Sequence, residues 1–180
     1  MLKLPFNNST LSFIFINPKP LLIELLPYYF FYIPASSTGK YHPSFSLGEH
    51  GLVRHTKVAV RIAYELLNNN SISDVFNDDE KDLMLIALLL HDGCKLGLEK
   101  SEYTVFEHPL IVSKYLKENI DKTEFTKSEM DFICSCIETH MGEWTVDYKG
   151  NEVLEKPKNK VILIEIKSSS KITDDNEIIG

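Results

Sequence analysis

Five residues of this sequence are of the types that hold divalent metal ions. They are His55, His91, Asp92, His108 and His140. The run Leu88-Leu89-Leu90 directly precedes His91-Asp92, so an apolar stretch carries an imidazole and a carboxylate side by side towards the interior. Burying both groups costs several kcal/mol unless a partner compensates, and a divalent metal is the usual partner for a His/Asp pair. This stretch therefore predicts a metal site around which the chain is built.

Helical periodicity would position the first three of these residues. An apolar stripe at spacings of three and four predicts a helix that places His55 on its buried face. Its members are Leu52, His55, Ala59, Ile62, Ala63, Leu66 and Leu67. Asp78 is predicted to cap the next helix, from Lys81 to about His91. Residues 83–90 are apolar on nearly every side, which predicts a central helix enclosed by others.

Two further helices would carry the other histidines. Proline favours the first helical position, so His108 before Pro109 is predicted at the cap of a third helix. Its predicted inward residues are Leu110, Ile111, Tyr115 and Leu116. Thr126-x-x-Glu129 is a capping-box pattern that opens a fourth helix, which Gly142 could end. Its stripe contains Met130, Ile133, Cys136, Ile137, His140 and Met141. The predicted fold class is all-α.

Composition limits the functions that this chain could serve. With 180 residues, 43% of them hydrophobic and 25% charged, it has the size and make-up of one globular domain. The net charge of −7 argues against a broad basic face, so no long nucleic acid is expected as partner. Three cysteines form no disulfide framework and no secretory leader is recognisable, so a cytoplasmic location is expected. The oligomeric state is unconstrained.

The first 48 residues are predicted to form an irregular extension that packs on the core. Residues 11–33 are strongly apolar, but prolines and charges such as Lys19 and Glu24 interrupt them, so no membrane anchor is expected. Residues 34–43 are rich in hydroxyl groups, Gly and Pro. Ser36, Ser37 and Lys40 could there bind an anionic substrate, although the same loop could equally be a surface connector.

Each histidine also has a purely structural interpretation. A single imidazole on an apolar stripe is most often a core residue whose nitrogen is hydrogen-bonded to a carbonyl. The His91-Asp92 dipeptide is also a weak signal by itself. What favours a metal cluster is that four predicted helices each deliver such a group, where Leu or Phe would pack at lower cost.

In this order, the five residues resemble the ligands of the HD-domain superfamily of metal-dependent phosphohydrolases. The flanking segments 51–57, 90–95, 106–109 and 138–142 are also similar to segments of bacterial and phage HD-domain proteins, and residues 34–43 resemble their lead-in. The resemblance covers about residues 29–158 and implies an all-helical HD domain over residues 49–158. Members with two additional histidines imply a dinuclear site, here with Mn, Fe, Co, Ni or Zn.

The resemblance also implies roles in hydrolysis. Asp92 would bridge two divalent transition-metal ions that activate a water for attack on phosphorus, and Lys95 would neutralise charge in the transition state. Arg54, Lys57 and Lys40 are further candidates for phosphate contact. The expected activity is hydrolysis of a nucleotide or another small phosphate ester or anhydride.

The C-terminal segment, residues 159–180, departs from the family pattern. A last metal-binding aspartate is expected near Ser169, but residues 161–166 read as a β-branched strand and are followed by a polar tail. Glu165 or Asp174 could substitute. This departure leaves as one alternative a catalytically impaired HD domain that binds ligands or regulates. Independently of it, the chain could be a structural bundle whose histidines are core residues.

Overall fold

Four α-helices form the framework of the part of this chain that the structure describes. The computed structural model describes residues 25–40, 42–70 and 74–156. The helices are α1 (Gly51–Leu67), α2 (Asp78–Leu90), α3 (His108–Glu118) and α4 (Lys127–Glu138). Short 3-10 turns occur at Tyr28–Phe31, Ser44–Ser46 and Ile120–Lys122. The described ranges contain no sheet, only one isolated bridge between Val146 and Glu152, so the all-α prediction is confirmed.

Capping side chains determine where two of the helices begin. Thr126 and Glu129 form the predicted capping box of α4. In α2, however, the cap is Asn77 rather than Asp78: the Glu80 N–H donates to Asn77 Oδ1 at 2.9 Å, and the Asn77 N–H donates to Glu80 Oε2 at 3.0 Å. The predicted cap was therefore one residue too far along the chain. Asn and Asp are equally good capping residues, and only the backbone conformation shows which of the two positions is the cap.

Helix α2 lies at the centre of the bundle. It packs against α1 on one side and α4 on the other, and α3 packs on α4. Most of its apolar residues are buried, as the all-round apolar pattern of residues 83–90 predicts. The interior position of α2 brings its C-terminal end, and the His91-Asp92 pair that follows, into the protein.

The buried faces of α1 and α3 are rotated relative to the predicted stripes. Ile62 and Leu66 are each 38% exposed, while Val53 and Val60 are buried in their place. In α3, Leu110 is 39% exposed and Val112 is buried. Neighbouring apolar residues fit the same helical spacing, so the pattern alone does not determine which of them points to the core. The predicted centre of each buried face is therefore uncertain by about one residue.

The segment before α1 is built into the same core. Its buried apolar side chains are Leu26, Tyr29, Phe30, Phe31, Ile33 and Ala35. The Leu52 N–H donates to the Ile33 carbonyl at 2.9 Å, which ties the start of α1 to this segment. A Cβ atom on Gly51 would lie 2.1 Å from the Ser46 carbonyl oxygen, so the close approach requires glycine here.

Several sequence predictions lie outside the described residues. They concern the apolar stretch before residue 25, the strand predicted over residues 161–166, and the substitute ligands Glu165 and Asp174. Within the described ranges, none of the helices has the length and apolar character needed to cross a membrane. The three cysteines, Cys94, Cys134 and Cys136, are free thiols.

Candidate metal centre

The candidate centre lies where the helices begin or end. His55 is in the second turn of α1, His91 follows α2 directly, and His108 is the first residue of α3. His140 lies two residues beyond the end of α4. Two predictions are corrected here: the cap position before α3 is Glu107 rather than His108, and α4 ends at Glu138, so His140 lies in a turn rather than on the helical stripe.

Gly93 allows the chain to turn inside the core directly after Asp92. A Cβ atom at this position would lie 2.6 Å from Leu26 Cδ2 and 2.9 Å from the Leu90 carbonyl oxygen. The turn is closed by the Gly93 N–H, which donates to that carbonyl at 2.8 Å. Glycine therefore lets the backbone of α2 stop in close contact with its neighbours while Asp92 remains buried.

The Asp92 carboxylate divides its two oxygens between two sets of partners. Oδ1 lies 3.0 Å from His108 Nε2 and 3.8 Å from His140 Nε2. Oδ2 lies 3.4 Å from His91 Nε2 and 2.6 Å from Lys95 Nζ. One carboxylate thus stands between histidines from three parts of the chain.

The potential ligand atoms form two groups that share Asp92. His55, His91 and Asp92 form the His55 group, and Asp92, His108 and His140 form the His108 group. Within each group, one nitrogen or oxygen atom per residue lies within 4.8 Å of the others. This spacing allows the three donors of a group to meet on one ion. The structure brings together all five residues that the sequence analysis selected as ligands.

Three of the histidines are oriented by the backbone. Each donates its Nδ1–H to the carbonyl three residues earlier in the chain: His91 to Leu88 at 2.6 Å, His108 to Val105 at 2.7 Å and His140 to Ile137 at 2.8 Å. In the neutral imidazole this bond leaves the Nε2 lone pair available on the side of Asp92. Such hydrogen bonds fix the tautomer and ring orientation that metal-binding histidines need.

Burial keeps the donors in the state that metals require. Desolvation lowers the pKa of His55 to about 3 and that of His140 to about 3, so both imidazoles are neutral at pH 7. For Asp92, burial alone would raise the pKa, but the adjacent Lys95 ammonium holds it well below its usual value. The centre therefore presents the neutral imidazoles of His55 and His140 beside one ionised carboxylate.

Lys95 is buried with this carboxylate. It is only 7% exposed, and its ammonium is the nearest cation to Asp92 at 2.6 Å. Its backbone N–H also donates to the Asp92 carbonyl at 3.1 Å, which holds the two residues in one turn. The solvated-loop interpretation of Lys95 is therefore excluded by its position.

The three basic residues predicted to contact phosphate differ in their exposure and in their contacts. Arg54 donates to the carbonyls of Phe45, Glu49 and Leu47 at 2.6, 2.9 and 2.7 Å, so it fastens the loop before α1 instead of lying among the ligand groups. Lys57 is half-buried on α1, and Lys40 is exposed.

The two predicted serines lie in the loop over residues 34–43. Ser36 is buried, and its Oγ accepts a hydrogen bond from the Gly39 N–H at 3.0 Å. Ser37 is exposed, with its Oγ 3.5 Å from Thr104 Oγ1. Neither serine belongs to the two ligand groups.

One histidine beside the centre was not selected from the sequence. The His42 ring lies 4.8 Å from the His55 ring, in an edge-to-face arrangement at 76°. His42 sits in a loop, where no helical period predicts the direction of a side chain. The available signal was its place in residues 34–43, the loop already selected for its composition.

Comparisons of the chain with protein-family models, with curated proteins and with solved structures found no match. The functional interpretation of this centre therefore depends on its own chemistry. Imidazole nitrogens with one carboxylate suit first-row transition metals and zinc, whereas magnesium and calcium prefer sites built from oxygen. The two groups are accordingly candidate sites for divalent transition metals.

Proposed function

We propose that this protein is a metal-dependent phosphohydrolase of the HD-domain type that acts on a nucleotide or another small phosphate ester or anhydride. The single observation that carries the proposal is the pair of ligand groups sharing Asp92. A carboxylate between two sets of imidazoles is suited to hold two metal ions next to each other. The ordered resemblance of His55, His91-Asp92, His108 and His140 to HD-domain ligands supports the same function.

The donor set fits two divalent ions, one in each group. When bound, such ions supply Lewis-acid polarisation of a phosphoryl oxygen and lower the pKa of water at neutral pH. The hydrogen bonds from His91, His108 and His140 to backbone carbonyls pre-orient the rings, so little reorganisation is needed on binding. Asp92 would serve both groups, with one oxygen facing each.

Lys95 would act on the substrate side of the centre. Its ammonium is buried next to Asp92, where low polarity strengthens its attraction to a phosphoryl group. A phosphoryl group accumulates negative charge on its oxygens as the bond to the leaving group breaks, and a fixed cation stabilises that charge. Lys95 would therefore contribute to turnover more than to metal affinity.

The proposed substrate is small because the chain offers little attraction for a long polyanion. The net charge is −7, and Arg54 is already engaged with three backbone carbonyls. A local cation such as Lys95, together with bound metal, would still attract one phosphate group. The free cysteines fit a reducing compartment, so we place this activity in the cytoplasm.

The deciding experiment measures metal content and phosphate release together. Wild-type protein purified without chelator should contain about two transition-metal ions per chain and release phosphate from a nucleotide or model phosphate ester. Asp92→Ala should lose both properties because it removes the shared ligand. Hydrolysis that survives unchanged in Asp92→Ala would overturn the mechanism.

Lys95→Ala separates binding from turnover. We expect it to keep its metal and to lower kcat by about 100-fold, the order found when one transition-state-stabilising group is removed. Metal loss in Lys95→Ala would instead assign this lysine to the architecture of the centre. Metal binding without phosphate release in the wild type would favour the ligand-binding or regulatory alternative, and no metal uptake would favour the structural one.

A further inference from the structure

A loop histidine outside both ligand groups borders the His55 group. His42 contacts the His55 ring edge-to-face at 4.8 Å between centroids. Its Nδ1 is buried and has no hydrogen-bond partner. A buried ring nitrogen is costly to leave unpaired, so an unpartnered one next to a candidate centre indicates a partner that arrives with a ligand.

Geometry places His42 beside the ligand groups, not within them. The donor atoms that meet within 4.8 Å of one another come from His55, His91 and Asp92, and His42 does not belong to this set. The hydrogen-bond partner of His42 Nδ1 is therefore expected to be an atom of a molecule bound at the centre, and not the metal ion itself. On a phosphorylated substrate, that atom is a phosphoryl oxygen, which accepts hydrogen bonds from imidazole N–H.

Electrostatics connects His42 with Lys95. Burial makes the largest contribution to lowering the pKa of His42, and the Lys95 ammonium makes the next. The Asp92 carboxylate acts on the same imidazole in the opposite direction. His42 therefore lies within the electrostatic influence of both Lys95 and Asp92.

The described residues on either side of His42 form hydrogen-bonded turns. The Gly39 N–H donates to Ser36 Oγ at 3.0 Å, and Gly39 has a φ of +72°, which glycine adopts without strain. Ser46 Oγ donates to the Pro43 carbonyl at 2.8 Å on the other side of His42. His42 directly precedes the second of these turns, which orders the chain next to it.

We propose that His42 is a substrate-binding residue whose Nδ1–H donates to an oxygen of a phosphoryl group bound at the His55 group. This inference rests on the proposed function, and it identifies the loop over residues 34–43 as part of the substrate site. It also assigns the phosphate contact at this loop to His42, a residue that composition alone did not single out.

Two amide replacements test the atom as well as the residue. The side-chain amide of Asn lies near the position of histidine Nδ1, whereas that of Gln reaches the position of Nε2. The probe is inorganic phosphate, titrated calorimetrically into metal-loaded protein, with metal content measured in parallel. We expect His42→Ala and His42→Gln to weaken phosphate binding about tenfold, and His42→Asn to remain within about threefold of wild type, with two ions per chain in all.

Ser44→Ala is the matched control, because Ser44 is exposed and only two residues away. Phosphate affinity in His42→Ala equal to that of wild type would overturn the inference, and so would loss of an ion, which would make His42 a ligand. If His42→Ala fails to fold, the comparison of the Asn and Gln variants still tests the inference, because both keep a polar side chain. A wild-type protein that takes up no metal would instead refute the proposed function itself and this inference with it.

Discussion

The two oxygens of Asp92 divide the centre into halves at the scale of single residues. Oδ1 faces His108 and His140, and Oδ2 faces His91 and Lys95. Each half has its own histidines, so damage to one half should spare the other. Only Asp92 is common to both, which explains why its substitution is expected to have the larger effect.

Substitution of one histidine from each half tests this division. His55→Gln and His140→Gln should each reduce the metal content from about two ions per chain to about one, because each removes a donor from a single group. The affinity of the damaged site should fall by at least about tenfold, the minimum seen when even an indirect contact to a ligand is lost. Elemental analysis and metal titration measure both quantities.

His50→Gln is the control for these two variants. Its Nδ1 is hydrogen-bonded to the Phe31 carbonyl at 2.5 Å, and His50 belongs to neither ligand group. It should keep the wild-type metal content. Loss of both ions in either His55→Gln or His140→Gln would show that the two groups act as one inseparable site.

At the scale of helices, the centre is formed by chain ends that converge. His91 follows α2, His108 opens α3 and His140 follows α4, while α1 contributes His55 from its second turn. Three of the four histidines therefore occupy positions that depend on where a helix begins or ends. The stability of the ends of the helices is therefore linked to the geometry of the site.

The cap of α2 provides a test at this scale. Asn77→Ala removes the side chain that accepts from the Glu80 N–H, so we expect it to lower the free energy of unfolding by about 1 kcal/mol. Asp78→Ala should cost only about 0.5 kcal/mol, because Asp78 offers a favourable charge at the helix start and a single ion pair with Lys81. Urea denaturation of chelator-treated protein compares the two.

Asn77→Ala should also leave the metal content unchanged, since Asn77 lies at the opposite end of α2 from His91. A larger effect for Asp78→Ala than for Asn77→Ala would contradict the assignment of the cap. That result would instead support Asp78 as the cap, as the sequence pattern predicted.

At the scale of the whole molecule, buried neutral imidazoles make the metal-free protein sensitive to acid. Burial lowers the pKa values of His55 and His140 from 6.5 to about 3. Between pH 6.5 and about pH 3, these two imidazoles are therefore protonated in the unfolded chain but not in the folded one. Their contribution to stability is complete above pH 6.5 and is lost as the pH falls. Asp92 also has a lowered pKa, so its contribution to stability is lost on acidification as well. This loss begins only near pH 3.8, the usual pKa of an aspartate.

We therefore expect the chelator-treated protein to lose stability steadily from pH 7 to pH 4.5. Each of the two imidazoles contributes up to about 1.4 kcal/mol per pH unit, which urea denaturation at several pH values would measure. The double variant His55→Gln, His140→Gln should show a shallower dependence. A free energy of unfolding that stays constant over this range in the wild type would mean that neither imidazole is kept neutral by folding.

The amino-acid sequence by itself determined the all-α class, the capping box of Thr126 with Glu129, and the five residues selected as metal ligands. These features are local, because helix spacing and capping depend on neighbours within a few residues along the chain. The assignment of the two Asp92 oxygens and the engagement of Arg54 with loop carbonyls were decided by tertiary structure. So was the approach of His42 to His55, since loops have no period and contacts between distant segments appear only when the helices pack.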